Sequence, residues 1–150
     1  MAEAVQATKA FIKSPGIDVQ FLVDADDSGG STTAFLARVG PGAQTPPPHR
    51  HDAWDETVYC TQGTMTYVVD GDRVDLEQGQ ALCVRRGQIH KFDNHTTDDA
   101  WMLVVSTPGL FGEDYFLSVA EILNAATNGP PDIAALLAVQ ARHGVTVVTG

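Results

Sequence analysis

Three histidines and a carboxylate pair have types and spacings that could hold a metal ion. His49 and His51 are two residues apart, and on an extended chain this spacing puts both rings on one face. Glu56 follows beside Asp55, and His90 lies just after a glycine-containing turn. Imidazole and carboxylate donors together suit iron, nickel, copper, zinc or manganese, and are too rich in nitrogen for calcium or magnesium. The sequence therefore predicts one divalent transition metal.

Only one of the two adjacent carboxylates can face the histidines. Neighbouring residues of a strand point to opposite faces, so Asp55 and Glu56 are alternatives for the carboxylate position. Three prolines, residues 46–48, stiffen the approach to His49 and limit the freedom that the segment would lose on closing around an ion.

Short strands separated by turn residues must position these side chains. The Asp70-Gly71 pair is a strong hairpin signal. Short, evenly spaced strands of this kind favour a sandwich or a barrel. The predicted strands are Asp18–Val23, Thr32–Val39, Thr57–Thr61, Thr64–Val69, Arg73–Leu76, Ala81–Arg85, Ile89–Phe92 and Trp101–Ser106.

The pattern becomes helical after Pro108. Gly129-Pro130-Pro131 separates two predicted helices, and Asp132 can cap the second. Both helices are amphipathic, so we expect their apolar faces to pack on the barrel or on a partner subunit. The apolar-face residues are Phe116, Val119, Ile122 and Leu123 in the first helix and Ile133, Leu136 and Leu137, with Gln140, in the second.

Composition excludes several classes of function. A net charge of −10 argues against nucleic acid, because phosphate binding needs a basic patch. No apolar stretch of membrane-spanning length occurs. The N-terminal residues show no signal-peptide pattern and there are only two cysteines, so we expect a cytoplasmic location.

The two segments 45–63 and 79–94 resemble the two sequence motifs of the cupin superfamily. The first glycine stands one residue further from His49 than is usual, and Arg85 occupies the place of an expected proline. Both departures concern loop geometry more than metal ligation. The matching residues are Gly42, His49, His51, Glu56 and Gly63 in the first motif, and Gly79, Gly87, His90 and Asn94 in the second.

This resemblance implies a mainly β fold, a cupin double-stranded β-helix or jelly-roll barrel, followed by two C-terminal α-helices. It predicts a single domain over residues 1–150, with the barrel at about 18–107 and the helical tail at about 112–144, and a homodimer. It also implies that His49, His51, Glu56 and His90 are the metal ligands, since the family interval favours Glu56 over Asp55.

The WDETVY run, residues 54–59, and the helical tail resemble small quercetinase-like cupins. That subset implies a metal-dependent dioxygenase acting on an aromatic or enolisable small molecule, with Glu56 as both ligand and catalytic base. One alternative is a non-redox metal-dependent isomerase, cyclase or lyase. The other is a non-catalytic cupin that binds a small molecule, because fold alone does not decide function.

Several other polar residues are expected to lie outside the site. We assign neither His95 nor His143 to the metal, and we interpret Cys60 as a buried hydrophobe rather than a fifth ligand. The acidic segment at Asp24, Asp26 and Asp27 is interpreted as a solvated turn. The candidate pocket walls are Trp54, Tyr59, Met65, Tyr67, Phe92, Trp101 and Met102.

Overall fold

Antiparallel strands in two sheets enclose one apolar core in the computed structural model, which describes residues 9–148. The first sheet has the order β1-β2-β3-β10-β5-β8, and the second has the order β11-β4-β9-β6-β7. The strands are β1 Ile12–Ser14, β2 Ile17–Val23, β3 Thr33–Val39, β4 His49–His51, β5 Asp55–Gln62, β6 Thr64–Val69, β7 Asp72–Glu77, β8 Ala81–Val84, β9 His90–Asp93, β10 Ala100–Thr107 and β11 Val145–Val147. Helices follow at α1 Ala25–Ser28, α2 Glu113–Ala125 and α3 Ile133–Arg142.

Alternating burial along the central strands shows which face builds the core. In β5 the buried residues are Glu56, Val58 and Cys60, while the residues between them are exposed. β10 pairs with β5 so that Val104 lies opposite Val58 and Ser106 lies opposite Glu56. The inner face is therefore apolar over most of its length and polar at the end that carries Glu56.

This architecture confirms the predicted mainly β jelly-roll fold with two C-terminal helices. The predicted strands are all present with small shifts at their ends. Sequence analysis did not predict the three-residue strands β1, β4 and β11, nor the one-turn helix α1. Asp24 caps α1 by accepting a hydrogen bond from the Ala25 backbone N–H, and Asp27 accepts one from the Asp24 N–H. The acidic segment is thus a capped helical turn rather than a simple loop.

The two departures from the family pattern have local explanations. Gly42 takes a left-handed backbone conformation, and its N–H donates to the Asn94 carbonyl at 3.0 Å, which joins the ends of the two motifs. The Arg85 N–H donates to the Gln88 side chain at 2.8 Å. Proline has no N–H to donate, so arginine at this position keeps a hydrogen bond within the turn that precedes His90.

The tail packs on the barrel, which is one of the two placements that the amphipathic pattern of its helices predicted. Phe111, Tyr115 and Val139 join the apolar core, and α2 packs against β1. No helix within residues 9–148 has the length and apolar character needed to cross a membrane.

Strand β11, at the end of the tail, pairs antiparallel with the histidine-bearing strand β4. Val145 lies opposite His51, and Val147 lies opposite His49. The Thr146 hydroxyl also donates to the Asp52 carboxylate at 2.9 Å. The tail therefore fixes the strand that carries two of the predicted ligands.

Candidate metal centre

Three predicted ligands converge at one end of the barrel. His49 lies opposite His90 where β4 pairs with β9, and His51 is on the same face two residues further along β4. One ring nitrogen from each of the three histidines lies within 4.8 Å of the others. All three side chains are buried. Three imidazoles at this separation form a cluster able to hold a metal ion.

Backbone carbonyls orient two of the rings. His49 Nδ1 lies 2.9 Å from the Pro47 carbonyl oxygen, and His90 Nδ1 lies 3.1 Å from that of Gln88. A ring that donates its Nδ1–H in this way has Nε2 free as an electron-pair donor. Such second hydrogen bonds to carbonyls are typical of metal-binding histidines, because they fix the tautomer and the ring direction.

His51 differs from the other two rings because its Nδ1 is buried without a hydrogen-bond partner among residues 9–148. That nitrogen lies 3.2 Å from Glu56 Oε2, but the two atoms do not have the geometry of a hydrogen bond. Two ligand atoms bound to one ion at about 2.1 Å lie about 3.0–3.4 Å apart. The indole of Trp54 stacks on the His51 ring at a centroid distance of 4.6 Å and holds its plane. The pair thus fits two neighbouring positions in one coordination shell.

Charge at the cluster is unbalanced in a way that a cation would correct. Burial raises the pKa of Glu56 to about 7. Burial also lowers the pKa of His49 to about 4 and the pKa of His51 to about 2, and it lowers the pKa of His90. The neutral imidazoles give the Glu56 carboxylate no positive partner, and a buried unpaired charge is costly. A divalent ion would supply that partner, so the donor set fits a metal.

Asp55 lies on the opposite face of β5, as strand parity predicts. Its carboxylate accepts hydrogen bonds from the Arg86 backbone N–H at 2.9 Å and from the Arg86 guanidinium at 3.1 Å. These contacts lower the pKa of Asp55. Because Asp55 is committed to this outward ion pair, Glu56 is the carboxylate beside the histidines.

Ser106 is a polar neighbour of Glu56 that sequence analysis missed. It lies opposite Glu56 on β10, and its fully buried Oγ has no hydrogen-bond partner among the described residues. Side chains directly opposite in an antiparallel pair have Cβ atoms about 5 Å apart. The Ser106 side chain is therefore a direct cross-strand neighbour of Glu56, and only the strand register reveals this.

A cavity of about 80 Å³ adjoins the histidines and Glu56, and its other walls are almost entirely apolar. Of the predicted wall residues, Met65, Tyr67, Phe92 and Met102 line it. Trp54 instead packs behind His51, Tyr59 is 42% exposed, and Trp101 packs edge-on against Phe11. Sequence analysis missed Phe111, Tyr115 and Phe116, which reach the cavity from the tail and from the loop before it.

The remaining polar candidates lie away from the cluster. Cys60 is buried and lies within hydrogen-bonding distance of the Gly63 carbonyl, 3.2 Å from its Sγ, and it does not line the cavity. His95 is exposed, and His143 packs against Tyr115 at the end of α3. These positions agree with the interpretation that all three lie outside the metal site.

Comparison with known proteins identifies the barrel. Residues 35–106 match the model of the cupin domain family, Cupin_2. These residues form a cupin domain. The match spans both sequence motifs and includes all four predicted ligands.

Two curated proteins resemble this chain in sequence. A quercetin 2,3-dioxygenase of Bacillus subtilis (strain 168) is 34% identical over 108 residues, which cover 71% of this chain and 31% of the relative. The tetracenomycin polyketide synthase protein TcmJ of Streptomyces glaucescens is 36% identical over 69 residues, which cover 45% of this chain and 46% of the relative. The matched parts thus span less than half of either relative.

Solved structures share the fold. One is a sugar phosphate isomerase of the cupin superfamily from Silicibacter pomeroyi, with a TM-score of 0.54 and 30% sequence identity. The match covers 61% of this chain and 59% of that chain. Relatives with such different names show that this cupin fold does not by itself specify a reaction.

Proposed function

We propose that His49, His51, Glu56 and His90 bind one divalent transition metal, with iron, nickel, manganese, zinc and copper as candidates. Support comes from the three converging imidazoles, the unpartnered His51 nitrogen and the 3.2 Å separation between that nitrogen and Glu56. Cellular supply, rather than the donor set alone, decides which of these metals is bound.

Metal binding is expected to release protons from Glu56 rather than from histidine. With a pKa of about 7, Glu56 is mostly protonated at about pH 6, whereas the depressed pKa values of His49 and His51 leave both rings neutral. Zinc titration of the metal-free protein at about pH 6 should release close to one proton per ion, falling toward zero above about pH 8. Calorimetry in buffers of different ionisation enthalpy measures this number.

Glu56→Gln is the matched control for the proton-release measurement. Glutamine has no titratable proton, so the number released at about pH 6 should fall close to zero in this variant. An unchanged number in Glu56→Gln would identify the histidines as the source and would argue against Glu56 as a ligand.

We further propose that the protein is a metal-dependent dioxygenase acting on an aromatic or enolisable small molecule. The observation that carries this proposal is the placement of the cluster beside an apolar, aromatic-walled cavity. Such walls orient a flat apolar ligand, while a few polar groups fix its reacting end. The quercetin 2,3-dioxygenase relative supports the same class of reaction. A metal bound here would supply Lewis acidity and, for a redox-active ion, a route for electrons between substrate and dioxygen.

The protein's own residues would then handle the proton and the water. Glu56 is the carboxylate at the cluster, 3.2 Å from His51 Nδ1, and a positioned carboxylate within hydrogen-bond reach of the substrate can act as a base. It would accept the proton of an enolic or phenolic hydroxyl at Oε1 or Oε2. Phe35, Phe111 and Phe116 wall the cavity and would exclude bulk water from the reacting end of the substrate.

A non-redox reaction is the second candidate. The same cluster could polarise a carbonyl group and drive isomerisation, cyclisation or elimination without dioxygen. The TcmJ relative and the sugar phosphate isomerase structure favour keeping this candidate. A non-catalytic role in binding a small molecule is the third.

Oxygen consumption separates the three candidates. Metal-free protein is reloaded with each divalent metal in turn and incubated with flavonols and other enolisable compounds, while dissolved oxygen and product are followed. The dioxygenase proposal predicts oxygen uptake in step with substrate loss, only with metal present. Equal turnover under strict anaerobiosis would favour the isomerase, cyclase or lyase, and no turnover by loaded protein would favour the binding protein.

An assembly and a location are also proposed for the protein. We propose a homodimer in the cytoplasm with a small molecule as its partner. The net charge of −10 is unsuited to nucleic acid or to anionic membrane surfaces.

A further inference from the structure

A second, larger cavity lies between the helical tail and the barrel. It has a volume of about 390 Å³. Helices α2 and α3 form one side, and β1, β2 and the proline-rich segment before His49 form the other. We call this space the tail chamber. The tail-side lining includes Val119, Leu123, Leu136 and Gln140.

The tail chamber adjoins the cavity at the histidines. Six residues line both spaces, so their side chains form the boundary between the tail chamber and the cavity, and rotation of these side chains would join the two. The shared residues are Ile17, Val19, Pro46, Phe92, Tyr115 and Phe116.

The inner cavity is too small to hold an aromatic substrate alone. Its volume is about 80 Å³, whereas an engineered protein cavity that binds benzene measures about 150 Å³. Drug-sized ligands occupy pockets of about 300–1,000 Å³, a range that the tail chamber reaches. A ring compound whose polar end touches Glu56 therefore needs more room than this cavity offers, and the tail chamber is the larger space that adjoins it.

The residues that line the tail chamber indicate what kind of ligand it can hold. No charged side chain of the described residues lines the chamber, and its polar groups are uncharged hydroxyls, amides and the Tyr115 phenol. Gln140 is a mostly buried polar side chain, at 7% exposure, on the face of α3 that lines the chamber. A phosphate or carboxylate there would lose its hydration without gaining a cation. An uncharged apolar ligand loses little on entering.

We infer that the tail chamber binds the body of an uncharged polycyclic aromatic ligand whose single hydroxylated end reaches the histidine cluster. This inference rests on the proposed function only for the assignment of the reacting end. The helical tail, rather than the barrel, then selects the substrate by size and shape. Val119 and Leu136 are the specificity-determining residues on its two helices.

Filling the tail chamber with tryptophan tests the inference. Val119→Trp and Leu136→Trp should each weaken binding of N-phenyl-1-naphthylamine, an uncharged fluorescent probe, at least tenfold in metal-free full-length protein. Leu117→Trp is the matched control, because Leu117 is on α2 but 47% exposed and outside the lining, and it should change binding by less than twofold. No binding by the unaltered protein, or equal binding by all three variants, would overturn the inference.

A second measurement needs no variant and so does not depend on variant folding. Adding 2-naphthol to the methyl-labelled protein should shift the NMR signals of Val119, Leu123 and Leu136 more than that of Leu117. Shifts confined to methyl groups outside the tail chamber would overturn the inference.

The inference and the proposed function can fail separately. If probe binding is lost in the Val119→Trp variant but no metal-loaded form consumes oxygen, the tail-chamber inference stands and the dioxygenase proposal is wrong. If turnover depends on oxygen but the KM is unchanged in Val119→Trp, the dioxygenase proposal stands and the tail-chamber inference is wrong.

Discussion

His90→Ala is expected to abolish stable metal binding. His90 is 2% exposed, and its Nδ1 lies 3.1 Å from the Gln88 carbonyl oxygen, which points the other ring nitrogen into the cluster. Loss of residues that merely orient a ligand typically weakens metal affinity 10–100-fold, so loss of a ligand itself should weaken it by more than about 100-fold. Metal content after dialysis, together with competition against a chromophoric chelator, measures the effect.

His95→Ala is the matched control for His90→Ala. His95 is exposed and follows Asn94 at the end of the same motif, so its removal should leave metal content unchanged. Thermal melting of the metal-free forms separates a lost ligand from a lost fold. Full metal occupancy in a folded His90→Ala protein would show that the metal binds elsewhere.

Much of the barrel could be predicted because its strands follow local rules. β5 and β10 are rich in β-branched and aromatic residues, which favour strands, and turn residues separate neighbouring strands along the chain. The positions of His49, His51 and His90 within two recognisable motifs likewise indicated a common site before any pairing was known. Parity also separated Asp55 from Glu56, because adjacent strand residues cannot face the same way.

The strands that carry and hold the histidines could not be predicted in the same way. β4 has only three residues, follows three prolines, and pairs with β11, which lies almost a hundred residues later. Three-residue strands have no reliable alternation pattern, and they form only because a distant partner supplies hydrogen bonds. The pairing of Ser106 with Glu56 depends on register between distant strands for the same reason.

The aromatic side chains of the tail illustrate a different limit. Phe111, Tyr115 and Phe116 appear in the sequence as ordinary core residues of an amphipathic helix and its lead-in. Their role as walls of the cavity follows from how the tail folds over the barrel mouth. An amphipathic pattern predicts that a helix buries one face, but it does not predict against which surface.

Glu56→Gln is expected to reduce turnover at least about 100-fold even when the metal site is filled. The amide keeps the size of the side chain and an oxygen donor, but it cannot accept the substrate proton. A positioned base contributes about 10²–10⁴-fold to a rate, and Glu56 is the carboxylate that lies 3.2 Å from a histidine of the cluster. Initial rates are measured at saturating metal, with bound metal determined in the same samples, so that lost occupancy is not mistaken for lost chemistry.

Asp55→Asn is the matched control for Glu56→Gln. Both substitutions remove one negative charge from β5, but Asp55 faces outward and pairs with Arg86. Exposed ion pairs contribute little, so Asp55→Asn should keep the rate within about twofold and leave metal content unchanged. Equal losses in the two variants would mean that charge near the barrel mouth, rather than a base at the cluster, controls the rate. Full activity in metal-loaded Glu56→Gln would show that Glu56 has only a structural or ligand role and that another group accepts the substrate proton.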